Sequence, residues 1–107
     1  MSSVPETDWK LFRKLQASLL AKACESVFMK VEEIAGKRAD DEHQSYLNLY
    51  DLIKIEDAKI AKMFNNPTRN SVIFKIAALK RFDVLTDEQL QQFSDETQTT
   101  IYRMLGE

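Results

Sequence analysis

From Asp8 to Ala35 the chain runs 28 residues without a glycine or a proline. Trp9, Phe12, Leu20, Ala23, Cys24, Val27, Val31 and Ile34 recur through it at steps of three and four. That spacing is the period of an α-helix. At 1.5 Å per residue such a helix is roughly 42 Å long. A compact domain of this size has a radius of gyration near ~13 Å. The helix must therefore bend, protrude, or have its end covered by a second subunit. Leu11, Leu15 and Met29 fall on the opposite side and widen its apolar surface. A homodimer joined along this helix is one expectation that follows.

The rest of the chain also spells helices. Thr7 is placed to cap the first helix, and Asp8 suits its positive end. Gly36 is placed to end it in a left-handed cap. Asp41 and Gln44 stand at capping-box spacing before a second stripe of Tyr46, Leu49, Tyr50, Ile53, Ile60, Ala61 and Phe64. Asn65-Asn66-Pro67 closes that stripe, because the residue before proline resists the α conformation. A third helix is expected over 68–82. Thr86 and Gln89 form the clearest capping box, with Leu85 and Leu90 as its hydrophobic staple. Ser94, followed by Asp95 and Glu96, opens a last helix carrying Ile101, Met104 and Leu105.

Two glycines and two prolines are too few for the many turns of a sheet protein. Leu, Ile, Val and Phe supply 29 of the 107 residues, enough for a core. The expected fold is all-α. It is one domain over residues 1–107, a bundle of about five helices. Two long N-terminal helices form an antiparallel hairpin, three shorter ones follow, and residues 1–6 are a flexible tail.

Several chemistries lack their residues. One histidine, His43, and one cysteine, Cys24, cannot build a Cys/His zinc site or an internal disulfide. The glycines stand 70 residues apart, so no phosphate loop forms. His43 sits beside a helix start among Asp41 and Glu42, where a solvated role fits better than a catalytic triad. Cys24 lies mid-stripe, as a small hydrophobe does. Adjacent acids such as Glu32-Glu33 point in different directions on a helix. No catalytic, cofactor or metal residues are assigned, and no small-molecule substrate is evident. No apolar run reaches the roughly 20 residues that span a bilayer. No leader follows Met1, so a cytoplasmic setting is expected.

Some charges fit a purely structural role less well. Asp57 falls inside the second stripe and Arg13 inside the first, both in the distal half of the hairpin. A buried carboxylate needs a partner. An Arg13–Asp57 ion pair is therefore expected, with Arg69 as the alternative partner and a solvated Asp57 as the alternative to both. Residues 67–82 carry Arg69, Lys75, Lys80 and Arg81 and no acid. Arg69, Lys80 and Arg81 are the candidate interaction surface. Lys75 and Arg81 lie far around the wheel from the other two, so no single basic face exists. The net charge is −2. Both facts disfavour nucleic acid, whose binding rests on clustered phosphate contacts.

The segments LLAKACESVFMKVEEIA, SYLNLYDLIKIEDAKIAKMFNNPTRN and FDVLTDEQLQQFSDET resemble a family of short bacterial all-helical proteins of unknown function, sometimes labelled release-factor-like. The likeness covers nearly the whole chain after Asp8 and rests on spacing and helical residue types. It implies a bacterial cytoplasmic origin and supplies no activity. Peptide release needs a Gly-Gly-Gln tip, and this chain has no adjacent glycines. The expectation is a non-catalytic protein–protein interaction module that binds a protein partner or itself. The alternative is a small nucleic-acid-associated regulator using the basic third helix.

Overall fold

A computed structural model describes residues 3–106. Among the described residues there are five helices and no strand: α1 (Glu6–Gly36), α2 (Glu42–Phe64), α3 (Val72–Arg81), α4 (Asp87–Leu90) and α5 (Asp95–Met104). The expected all-α bundle, with a long hairpin followed by three short helices, is what the chain forms.

The long first helix protrudes. The molecule measures 53 × 27 × 24 Å, with a radius of gyration of 16.4 Å, well above the ~13 Å of a compact chain of this length. α1 and α2 pack antiparallel and extend beyond a body built by the first half of α1, the end of α2, and α3–α5. We call the projecting part the arm.

α3 is the centre of the body. Val72, Ile73, Ile76, Ala77, Ala78 and Leu79 are all buried, so this helix is apolar nearly all round and therefore lies inside. Phe12, Leu19 and Ala23 of α1 pack on this core, together with Met63 and Phe64 of α2, and Leu90 and Ile101. α1 thus uses two faces. Its first half turns Asp8, Phe12, Leu19 and Ala23 to the body, and its second half turns Val27, Val31 and Ile34 toward α2.

Several local expectations are corrected. Thr7 does not cap α1. The helix begins two residues earlier, at Glu6 after Pro5, and no side chain caps it. Residues 3–5 are docked, since Val4 is buried in the core and its carbonyl accepts from Arg69 Nε at 2.9 Å. Met1 and Ser2 of the expected tail lie outside the described residues. Asp41 and Gln44 form no capping box: Asp41 makes no cap bond and Gln44 donates to Asn48 instead. Gly36 stays helical, and the left-handed residue of the hairpin turn is Asp40, with φ 66°. α3 starts four residues late, because Thr68–Ser71 form their own hydrogen-bonded turn.

Other signals read correctly. α2 stops before Pro67, where Asn66 leaves through the left-handed region at φ 47°. The Thr86–Gln89 capping box is complete, at 3.1 and 2.9 Å. Ser94 caps α5 by accepting from Thr97 N.

Candidate interaction site

The arm has only two helices, so it cannot bury all of its apolar side chains. A helix pair covers one stripe of each member and leaves the flanks to solvent. Phe28 is 62% exposed, Tyr46 64% and Tyr50 58%. Ile53, Met29, Leu47 and Ile55 are also exposed. The body has an isolated Phe74, of the kind that needs no explanation.

Between α1 and α2, Phe28, Ile53 and Tyr46 border an apolar groove made of two hollows with no lining residue in common. The hollow near the body holds about 230 Å³, lined by Cys24, Val27, Phe28, Val31, Ile53 and Ile60, with Glu56 and Asp57 among them. The one toward the hairpin turn holds about 210 Å³ beside Ile34, Ala35, Tyr46 and Leu49. At 100° per residue, Phe28 lies about 170° around α1 from Phe12 and Leu19, Cys24 about 130° and Val31 about 110°. The groove therefore faces away from the body.

On the other side of the hairpin, at the base of the arm, is a polar cavity of about 290 Å³. Lys30, Glu56, Lys59, Arg81 and Asp83 line it. Glu56 is its organising residue, its side chain 8% exposed. It accepts from Lys30 Nζ at 2.6 Å, and its other oxygen pairs with Lys59 Nζ at 2.9 Å. The Lys30 hydrogen bond, supported by Lys59, holds the Glu56 carboxyl below its ordinary 4.5 against the opposing effect of burial. Lys59 also lies 5.6 Å from the Phe82 ring centre and so ties this cluster to the body. A carboxylate held ionised by two ammonium groups is a poor proton acceptor. The cluster is suited to fixing the arm's angle.

Replacing Glu56 by glutamine is expected to destabilise the protein by about 1–2 kcal/mol at pH 7. Lys30 and Lys59 are partly exposed, so the freed ammonium groups return to water and the full cost of a broken buried pair is not reached. The folded pKa is depressed, so this stabilisation is present above the ordinary value. It is lost as the pH falls through the folded value. Urea titrations at pH 7 and at stepwise lower pH should show the gap between wild type and variant closing in acid.

The residues singled out from sequence are scattered. Arg13 lies at the body end of α1, with its guanidinium 5.8 Å from the Trp9 ring centre. Asp57 lines the arm groove, level with Val27, and is exposed. The two are about 20 Å apart along the hairpin at 1.5 Å per residue. The expected ion pair within the chain does not form, because the two stripes face different neighbours. Arg69 does not replace Arg13, being committed to the Val4 carbonyl. Nor do Arg69, Lys80 and Arg81 make one surface. Arg69 precedes α3, while Lys80 and Arg81 end it. Lys80 pairs with Asp87 at 2.9 Å, and Arg81 lines the polar cavity. The third helix is mostly buried, with Lys75 and Lys80 half-buried and Arg81 exposed.

Two buried acids, Glu56 and Asp8, lie outside the candidate residues of the sequence. Glu56 carries a signal there, a charge at a stripe position with Lys59 three residues on. Asp8 carries only that of a helix-start charge. Among the described residues no three His, Cys, Asp or Glu side chains are grouped to hold a metal ion, and no helix is long and apolar enough to cross a membrane. Comparison of the chain with protein-family models, with curated proteins and with solved structures gives no match.

Proposed function

We propose that the protein is a non-catalytic protein-interaction module that docks an amphipathic helix on the outward face of its arm. The observation that carries this is the placement of Phe28, Ile53 and Tyr46, all exposed and lining the two apolar hollows between α1 and α2. Contiguous exposed apolar surface of this kind marks interaction sites in soluble domains. A groove between two helices suits a third helix laid along it, read by anchors at helical spacing. The polar cluster at the base supports the same reading, because a rigid arm presents its groove in one orientation.

The test is photo-crosslinking in the native cell. A benzophenone-bearing residue at Tyr46 or Tyr50 is expected to give a discrete crosslinked product of the chain with a protein. The same residue at exposed Gln92 on the body is the control. Crosslinking at the arm no stronger than at Gln92 would overturn the assignment.

A further inference from the structure

Resting on the arm-face reading above, we infer that the helix filling the groove is α1 of a second copy of this chain, laid antiparallel and crossing near Ala21. The outer face of α1 carries Lys10, Lys14, Ala17, Ala21, Cys24 and Phe28 at alternating steps of four and three. This is a heptad stripe on the side turned away from the body, and all of it is exposed except half-buried Cys24. Its apolar part, Ala17, Ala21, Cys24 and Phe28, has the spacing by which helices pair, and Lys10 and Lys14 continue it toward the N-terminus. Ala17 and Ala21 at its middle let two backbones approach closely.

Charge selects the partner and its direction. The stripe and its flank are basic toward the N-terminus, with Lys10, Arg13 and Lys14, and acidic toward the C-terminus, with Glu25 and Glu32. None of these five has an ion pair among the described residues. Lys10 and Lys14 even repel each other mildly at i,i+4. A parallel second copy would set Lys10 against Lys10 and Glu25 against Glu25. An antiparallel copy crossing at Ala21 sets Lys10 level with the other copy's Glu32, and Lys14 within a turn of its Glu25. Phe28 then lies over the other copy's Ala17 and the stem of its Lys14.

The same register accounts for Arg13 and Asp57. Arg13 lies about 12 Å to one side of Ala21, and Asp57, level with Val27, about 9 Å to the other. Arg13 projects from the flank of α1 that faces α2. Between two antiparallel copies it reaches the groove wall where the other copy's Asp57 stands unpaired. The pair absent within one chain forms twice across the twofold axis.

The surface suits a reversible dimer. From Lys10 to Glu32 the face is about 33 Å long; it is two helices, about 20 Å, wide from about Leu20 onward and one helix wide before that, where α2 has ended at Phe64. That gives on the order of 500 Å² per copy, below the roughly 800 Å² per partner of a standard stable interface and in the range of weak, reversible association.

Sedimentation equilibrium of the full chain from about 1 to 200 µM tests this. The wild type is expected to dimerise within that range. Arg13→Asp and Asp57→Arg are both exposed changes that leave the fold intact by circular dichroism. Each is expected to weaken the dimer about tenfold or more. The double variant Arg13→Asp/Asp57→Arg should return to within about threefold of wild type. Within one chain the two residues are too far apart to compensate, so recovery can arise only between copies. A wild type that stays monomeric at 200 µM overturns the proposal, as does a double variant no better than the singles. A monomer whose arm still crosslinks to a protein of different mass also removes the second copy as occupant, while leaving the docking surface in place.

Discussion

Replacing Asp8 by alanine is expected to cost the fold about 3–5 kcal/mol, a large share of the 5–15 kcal/mol that holds a domain together. Asp8 lies in the first turn of α1 and is buried. Its Oδ1 accepts from Ser94 N at 2.9 Å. Its Oδ2 accepts from Ser94 Oγ and from Thr97 Oγ1, both at 2.6 Å. Because the Ser94 hydroxyl donates to Asp8, its oxygen is free to accept from Thr97 N and cap α5. One carboxylate therefore fastens the first turn of α1 to the first turn of α5, at the end where a helix favours negative charge. Alanine leaves two hydroxyls and one N–H without their acceptor in a closed site. Charged hydrogen bonds contribute about 1.5–3 kcal/mol each and do not add fully. Asp8→Asn keeps the shape and one acceptor, and should cost about half as much. Thr97→Val, which removes a single donor, should cost about 1–2 kcal/mol. Asp95→Ala lies in the same turn of α5 but is exposed. It should cost no more than about 0.5 kcal/mol, the size of a dipole effect at the surface. Urea unfolding followed at 222 nm ranks the four. Equal losses for Asp8→Ala and Asp95→Ala would show that the buried network contributes little.

Asp8 also shows where the sequence stopped being legible. An acid at a helix start and a serine before Asp95-Glu96 each carry a local signal, and both helices were read from such signals. Their meeting joins residues 86 apart, and no local pattern encodes it. The same limit explains the first helix. Its apolar residues were read as one stripe from Trp9 to Ile34, but two partners divide them. The body takes Phe12, Leu19 and Ala23, while α2 takes Val27, Val31 and Ile34. Their directions differ, so a single averaged stripe placed Leu20 inward, where the structure buries Leu19 and exposes Leu20. That error carried Arg13 and Asp57 into a shared interior they do not have. Capping at Thr86 and Ser94 was legible because it is local. The apolar groove was legible in part. A helix too long for a lone globule signals an arm, but the side of the arm left bare depends on where α3–α5 pack.

Phe12 and Phe28 turn that division of α1 into a measurement. Both are phenylalanines inside one continuous helix, so helix propensity is the same for the two. Phe12 is 1% exposed and stacks on Trp9, with ring centres 6.1 Å apart. Phe12→Ala removes a ring from a closed core and leaves a cavity that α3 and α5 cannot fill without moving. The expected loss is about 3–5 kcal/mol. Phe28 is mostly in water already, so Phe28→Ala gives up little burial and leaves no cavity. At protein concentrations of a few micromolar its expected loss is under about 1 kcal/mol. If two copies pair through this face, the ranking depends on concentration. Phe12→Ala lowers stability equally at low and high concentration, because its site lies within one chain. Phe28→Ala costs more as the protein is concentrated, because its ring is buried only against the second copy, and stability linked to association rises with protomer concentration. Urea midpoints for both variants and wild type, taken at about 2 µM and about 200 µM, separate the two contributions. A Phe28→Ala loss as large as that of Phe12→Ala at both concentrations would mean that the arm belongs to the body's core and offers no free face to a partner.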